Sequence, residues 1–371
     1  MQTGRKKELS AMRYIVLIAA IAIGLAAYTV FWFHVKGEAE ANIAVWVQER
    51  RAAGDTVDYA ALDIGGYPFR IEATVAKPVF GRVDASRSWT IEGDKLSVVA
   101  APWNLGHIVA YHDGPFEIHY RSMTANEGER AIDLTGHSEA AGASAIWKGG
   151  VWDHADVEFS NLMMTARSAT APLSAGHLEF HVRKMHPNTP EDPGGIDQPA
   201  RSEYALEASD VTFPGATEQP LGPTIQTLNA VIEVHGDKPL GKTIPEIEAW
   251  RDAGGTLDVK SLDLSWGPLK MKLNGSLALD EANRPVGALT AQFTDYDKLI
   301  DSITGSAETG EGPGLKKFLD GLVKASGQPQ NTLSLPFSMQ EGTLYLGPIP
   351  VTNLPPVIGP KAPAAPPPAT K

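Results

Sequence analysis

The stretch Leu262-Asp-Leu-Ser-Trp-Gly-Pro-Leu-Lys-Met-Lys-Leu273 decides the fold class. Leu262, Leu264 and Trp266 alternate with polar residues, Gly267-Pro268 interrupts the run, and Leu269, Met271 and Leu273 resume it. A period of two sends successive side chains to opposite faces, so the stretch reads as two half-buried antiparallel strands joined by a hairpin turn.

The same alternation extends in both directions. It precedes the hairpin at Leu257/Val259 and follows it at Leu289/Ala291/Phe293, Leu333/Leu335/Phe337 and Leu344/Leu346, with a second turn at Asp280 to Pro285. Upstream it appears at Phe69/Ile71/Ala73/Val75, Phe116/Ile118/Tyr120 and Leu178/Phe180/Val182. Helical periodicity is brief by comparison: Ile244 to Ala253, stopped by Gly254-Gly255, then Tyr296 to Ile303 and Gly314 to Ala325. The expected fold is mainly β, with curved or sandwich-like antiparallel sheets and a few short helices.

The N-terminus has a different character. Tyr14 to Phe33 is a run of twenty residues without a charge, about the length that spans a bilayer core. Arg5, Lys6, Lys7 and Arg13 precede it, and Tyr28, Phe31, Trp32 and Phe33 close it. The positive-inside rule and the aromatic-belt preference then predict an inner-membrane anchor over residues 14–33, with a cytoplasmic N-terminus and a periplasmic body. A cleaved signal peptide is the competing reading, because Gly24-Leu25-Ala26 offers small residues for cleavage. Both readings export the body. Lys36 to Arg51 reads as a short helix leading away from the bilayer and ended by Gly54, with Trp46 expected in core packing.

The chain's 371 residues suffice for about two domains. His186 to Arg201 holds four prolines and two adjacent glycines with few apolar residues, which marks a linker. The expected organisation is a tail and anchor over 1–36, a β domain over 37–185, the linker over 186–201, a second β domain over 202–346, and a Pro/Ala-rich disordered tail over 347–371.

Composition excludes several function classes. There is no cysteine, which removes structural disulfides, thiol catalysis and cysteine-held metal centres. Beyond residue 33 the chain carries 28 Lys and Arg against 43 Asp and Glu, a net charge of −15. Such an acidic body does not suit nucleic acid or an anionic surface.

Chemical motifs are sparse. Gly65-Gly66 lacks the lysine and hydroxyl residue of a phosphate-binding loop, and Pro68 beside it suits a bend before a strand beginning at Phe69. Phe69 and Ile71 are expected on the apolar face, leaving Arg70 and Glu72 to a cross-strand ion pair on the polar one. His177, Glu179 and His181 share one strand face, with His186 nearby, and could ligate zinc as a hydrolase centre. They are also the polar half of a strand whose other half is Leu178, Phe180 and Val182, and the solvated-face reading is preferred. His107 with His112, Asp153 with Asp156, and Asp295 with Asp297 are weaker pairs. With no catalytic motif found, no catalytic, cofactor or metal residue is assigned and the expectation is a non-enzyme without cofactor.

Several segments together carry a family resemblance: Ile64-Gly-Gly-Tyr-Pro-Phe-Arg70, Ala101-Pro-Trp103, Gly254-Gly-Thr-Leu-Asp-Val259, Leu264-Ser-Trp-Gly-Pro-Leu269 and Gly275-Ser-Leu-Ala-Leu-Asp280. In this order behind an anchor, the chain resembles an alphaproteobacterial family of single-pass periplasmic proteins, domain of unknown function 2125, from about Ala39 to Leu346. The later block is similar, more remotely, to the C-terminal part of AsmA-like envelope proteins. The resemblance implies envelope assembly or the binding of a lipid or other hydrophobic envelope component. It transfers no site residues. A periplasmic protein-interaction scaffold is the alternative.

Overall fold

The computed structural model describes residues 3–84, 87–124, 128–167, 171–185, 200–214, 221–296, 298, 332–347 and 349–358. It divides into two compact units. The first is Met1–Gly136 with Ser144–Ile146, and the second is His137–Ala143 with Trp147–Lys371.

The first unit opens with α1 (Thr3–Ala52), one continuous helix that runs through the apolar segment and on to Ala52. The separate short helix expected after residue 36 is thus the end of the same rod. Among the described residues α1 is the one helix long and apolar enough to cross a membrane, and it fits a single-pass anchor. Beyond the apolar run a stripe takes over. Trp32, Val35, Ala39 and Ile43 recur at three- and four-residue spacing and pack on Ile64, Ile71 and Ala73. Gly54, at φ +89, ends the helix by adopting a left-handed conformation that side chains disfavour. Trp46 is half exposed and stacks on Phe80, with ring centroids 6.4 Å apart.

The sheet of this unit is built around two long strands, β5 (Arg87–Ala101) and β6 (Asn104–Thr124). Its shorter strands are β1 (Asp55–Asp58), β2 (Ala61–Gly65), β3 (Ile71–Ala76) and β4 (Val79–Val83). One half of β5 pairs with β4 and the other with β3, while its opposite edge pairs with β6; β2 pairs with β3, and β1 with β4. β7 (Gly128–His137) pairs with β6, and β8 (Ala140–Lys148) follows.

The strand after Gly65-Gly66 begins at Ile71, two residues later than expected. Phe69 lies in the preceding turn and is 75% exposed, so it does not join the apolar face. Arg70 pairs with Glu72 at 2.7 Å, two residues along the same segment rather than across strands. The Tyr67–Pro68 peptide is cis.

The second unit is a large antiparallel meander. It runs through β9 (Val151–Ala166), β10 (Leu173–Lys184), β11 (Ala200–Thr212), β12 (Thr224–His235), β13 (Thr256–Trp266), β14 (Leu269–Leu279), β15 (Pro285–Thr294), β16 (Thr332–Gln340), β17 (Thr343–Leu346) and β18 (Ile349–Asn353). Each strand from β9 to β17 pairs antiparallel with its successor. The proline-rich segment expected as a linker joins two strands, β10 and β11, that pair with each other inside this unit. The division between units therefore falls earlier in the chain, around residues 136–147. Residues 349–353, expected in the disordered tail, form β18. The helices expected at 296–303 and 314–325 lie outside the described residues apart from Tyr296 and Lys298, as does the tail from 359 onward.

α2 (Ile244–Asp252) lies between β12 and β13 as its periodicity predicts. The Glu246 carboxylate accepts the backbone N–H of Thr243 at 2.9 Å, and Gly254, at φ +75, closes the other end. Gly255 has a second role: a Cβ there would lie 2.2 Å from the buried Trp250 ring.

Candidate functional site

The register of the second unit gathers its apolar residues into rows. One row crosses eight strands as Phe159, Leu178, Ala208, Leu228, Leu264, Met271, Phe293 and Leu333, each directly opposite the next. The next row, two residues along each strand, is Val157, Phe180, Leu206, Ala230, Leu262, Leu273, Ala291 and Leu335. A third continues through Tyr204, Ile232, Val259, Gly275, Leu289 and Phe337.

Keeping these rows on one face requires a correction in β13. Leu257 and Val259 are separated from Leu262 and Leu264 by an odd step, which in a regular strand would turn the two pairs to opposite faces. The register shifts between Val259 and Leu262, where Lys260 and Ser261 stand against the single residue Asn274 of β14. This bulge restores the phase. Gly275, at φ +140, sits beside it, where a Cβ would lie 2.2 Å from the Ala288 carbonyl oxygen.

The two faces differ in chemistry and burial. Lys270, Lys272, Asn274, Thr290 and Gln292 are exposed on one side. In the first two apolar rows only Ala208, Ala291 and Leu333 are buried; most of the rest are half-buried, and Phe180 remains 41% exposed. A sheet face sealed by a second layer would bury its large side chains, so this one is only partly covered. Eight strands at about 4.8 Å spacing make each of the first two rows roughly 34 Å long, against about 15 Å for the hydrocarbon depth of one bilayer leaflet.

The residues singled out in the sequence for metal chemistry come together on the polar face. Glu179 bridges His177 at 3.2 Å and His181 at 3.0 Å, and His181 Nδ1 lies 2.6 Å from Asp156. Burial opposes the charged form of His181, but the Asp156 hydrogen bond and the charges of Glu179, Asp156 and Glu207 outweigh it and raise its pKa above the ordinary value. The arrangement is a half-exposed ion-pair network. His186 lies outside the described residues. Asp153 is buried with Lys148 and His154 each 2.9 Å away, and Asp295 pairs with Lys270 and Lys298 at 3.2 Å, while Asp297 lies outside the described residues. His112 is partly buried, and its Nε2 has no hydrogen-bond partner.

One group was not visible in the sequence. Glu233, His235 and Asp258 place one ligand atom each within 4.8 Å of one another. Glu233 and Asp258 are directly opposite across β12 and β13, two like charges that the bulge residue Lys260 offsets at 3.7 Å and 3.5 Å. Ser276 donates to Asp258 at 3.0 Å, and His235 Nε2 lies 3.2 Å from Glu233. Only the β12–β13 register brings these residues together.

A family model described as an uncharacterized protein conserved in bacteria, DUF2125, matches residues 32–355. No curated protein and no solved structure matches the chain.

Proposed function

The chain belongs to the DUF2125 family, and from that premise we propose that it is an inner-membrane-anchored, periplasmic binder of a hydrophobic envelope component, with acyl chains lying along the apolar rows of the second unit. The observation that carries this reading is the unsealed apolar face. Eight strands present aligned Leu, Phe, Val and Met side chains, most of them only half-buried, opposite a face lined with Lys, Asn, Thr and Gln. Binding sites for apolar ligands are mostly apolar and largely preformed, and an antiparallel meander with one apolar face supplies such a lining. The export reading rests on Arg5, Lys6, Lys7 and Arg13 before the apolar run, and the remote likeness to AsmA-like proteins points the same way.

Native mass spectrometry of the detergent-extracted full chain should detect bound lipid, and that lipid should be displaced by a fluorescent fatty acid. Leu273→Glu places a charge in the middle of the second row and should abolish both signals while the protein stays folded. Loss of neither signal would remove the sheet face from the account, and the absence of any bound lipid would remove the lipid. The scaffold alternative finds an exposed strand in β18, whose five residues are all exposed, but Pro350 withdraws a ladder donor from it.

A further inference from the structure

The turn Gly66 to Arg70 is fastened to α1 at three successive points. Tyr28 donates its hydroxyl to the Pro68 carbonyl, Thr29 Oγ1 lies 2.8 Å from the Tyr67 hydroxyl, and Trp32 Nε1 donates to the Arg70 carbonyl at 3.0 Å. The Tyr67 ring stands edge-on to Trp32 at 5.4 Å and stacks on Phe33 at 6.4 Å. The turn is closed on itself as well: Arg70 N–H donates to Gly66 O at 3.1 Å. Gly66 has φ +96, and a Cβ there would lie 2.7 Å from the Arg70 carbonyl oxygen, so the turn has a fixed shape that only glycine permits.

All three helix residues that hold the turn belong to the uncharged run ending at Phe33. Tyr28 lies five residues before that end, which at 1.5 Å per residue is about 7.5 Å along the axis. The headgroup region on each side of a bilayer's hydrocarbon core is about 5–7 Å deep. When the run spans a membrane, the turn fastened to Tyr28, Thr29 and Trp32 has to sit at the same depth as those residues. At its outer surface is Phe69, 75% exposed, with Tyr67 49% exposed beside it. Aromatic side chains favour this zone, where a ring meets the acyl boundary and polar groups meet the headgroups.

We infer that Phe69 and Tyr67 form a second membrane contact, inserting into the lipid interface beside the anchor on the side that carries the body. The contact turns a single pivot into two points of attachment and holds the first unit in one orientation against the bilayer. This rests on the anchor reading of α1, and the test separates the two.

The chain contains no cysteine, so Phe69→Cys gives a unique labelling site in the full-length protein. Val83→Cys is the comparator. Val83 is also highly exposed, and its neighbour Arg82 donates to the Ala53 carbonyl, about 30 Å further along the helix axis than Trp32. Both variants, labelled with the environment-sensitive dye NBD, are reconstituted into phosphatidylcholine vesicles carrying shallow doxyl-labelled lipid. The expected result is a blue-shifted emission at 69 that the doxyl lipid quenches, and neither effect at 83. Protein that floats with the vesicles yet shows no quenching at 69 overturns the contact and leaves the anchor standing. A blue shift at 69 without doxyl quenching means that protein covers the site, which also overturns it. Failure to float removes the anchor reading and the contact together.

Discussion

Replacing Trp250 tests how the second unit holds α2 against its sheet. Trp250 is 1% exposed, its Nε1–H donates to the His235 carbonyl at 2.9 Å, and its ring lies against Gly236 and Gly255. Truncating a buried tryptophan to alanine costs about 3–5 kcal/mol in lost burial and cavity formation, and the lost hydrogen bond adds about 1 kcal/mol. In a unit of more than 200 residues each kcal/mol moves Tm by roughly 2–4 °C, so Trp250→Ala should lower it by roughly 10–20 °C. Trp250→Phe keeps most of the ring and loses only the hydrogen bond, so it should cost about 1–2 kcal/mol, or roughly 2–8 °C. Thermal unfolding of the full chain, followed by circular dichroism in the β-sheet region, reads both variants. An alanine variant within about 2 °C of the parent would refute the packing argument. A phenylalanine variant as unstable as the alanine one would show that the hydrogen bond, and not the ring, holds the helix.

Two further outcomes follow from local geometry and charge. Gly275→Ala combines a strained backbone, costing about 1–3 kcal/mol, with a Cβ 2.2 Å from the Ala288 carbonyl oxygen, so it should cost at least about 3 kcal/mol in denaturant unfolding. Gly65→Ala is the contrast: its Cβ would meet nothing closer than Asp63 Oδ2 at 4.0 Å, and a change beyond about 0.5 kcal/mol would contradict the steric account. Burial, only partly offset by Asp113 and Asp94, pushes the His112 pKa below 6.5. The folded state then holds fewer protons than the unfolded one. The stability this contributes is present above pH 6.5 and is lost as the pH falls from there through the lowered folded value. His112→Phe should therefore flatten the decline in stability between neutral and mildly acidic pH, and an unchanged slope would assign that decline to other groups.

The strands were readable because one face is apolar and the other polar, a contrast that the Leu262–Leu273 hairpin shows within twelve residues. The turns at Gly267-Pro268 and at Asp280 to Pro285 carry their own chemistry and fall where the residues place them. Phase was harder to read. The odd step from Val259 to Leu262 looks like two unrelated alternations until Lys260 and Ser261 are seen as a bulge. The continuity of α1 was obscured by the charged residues that follow Phe33, although Val35, Ala39, Ile43 and Val47 recur every four residues. Alternation alone puts Phe69 on the strand because it cannot say where a strand begins, and a turn closed by an Arg70 to Gly66 hydrogen bond has no periodic signature. Proline and glycine at 186–201 mark a break in regular structure, but they do not reveal that the strands on either side pair with each other. The Glu233, His235 and Asp258 group depends on cross-strand register and was beyond reach of the sequence alone.

Glu179 and Phe180 are neighbours on β10 that point to opposite faces, one into the histidine network and the other into the apolar rows. A photoreactive benzoylphenylalanine placed at each position in turn, and irradiated in cells, tests the account most directly. A lipid adduct is expected from position 180 and none from 179. Equal lipid labelling at both positions, or a protein adduct alone at 180, would contradict it.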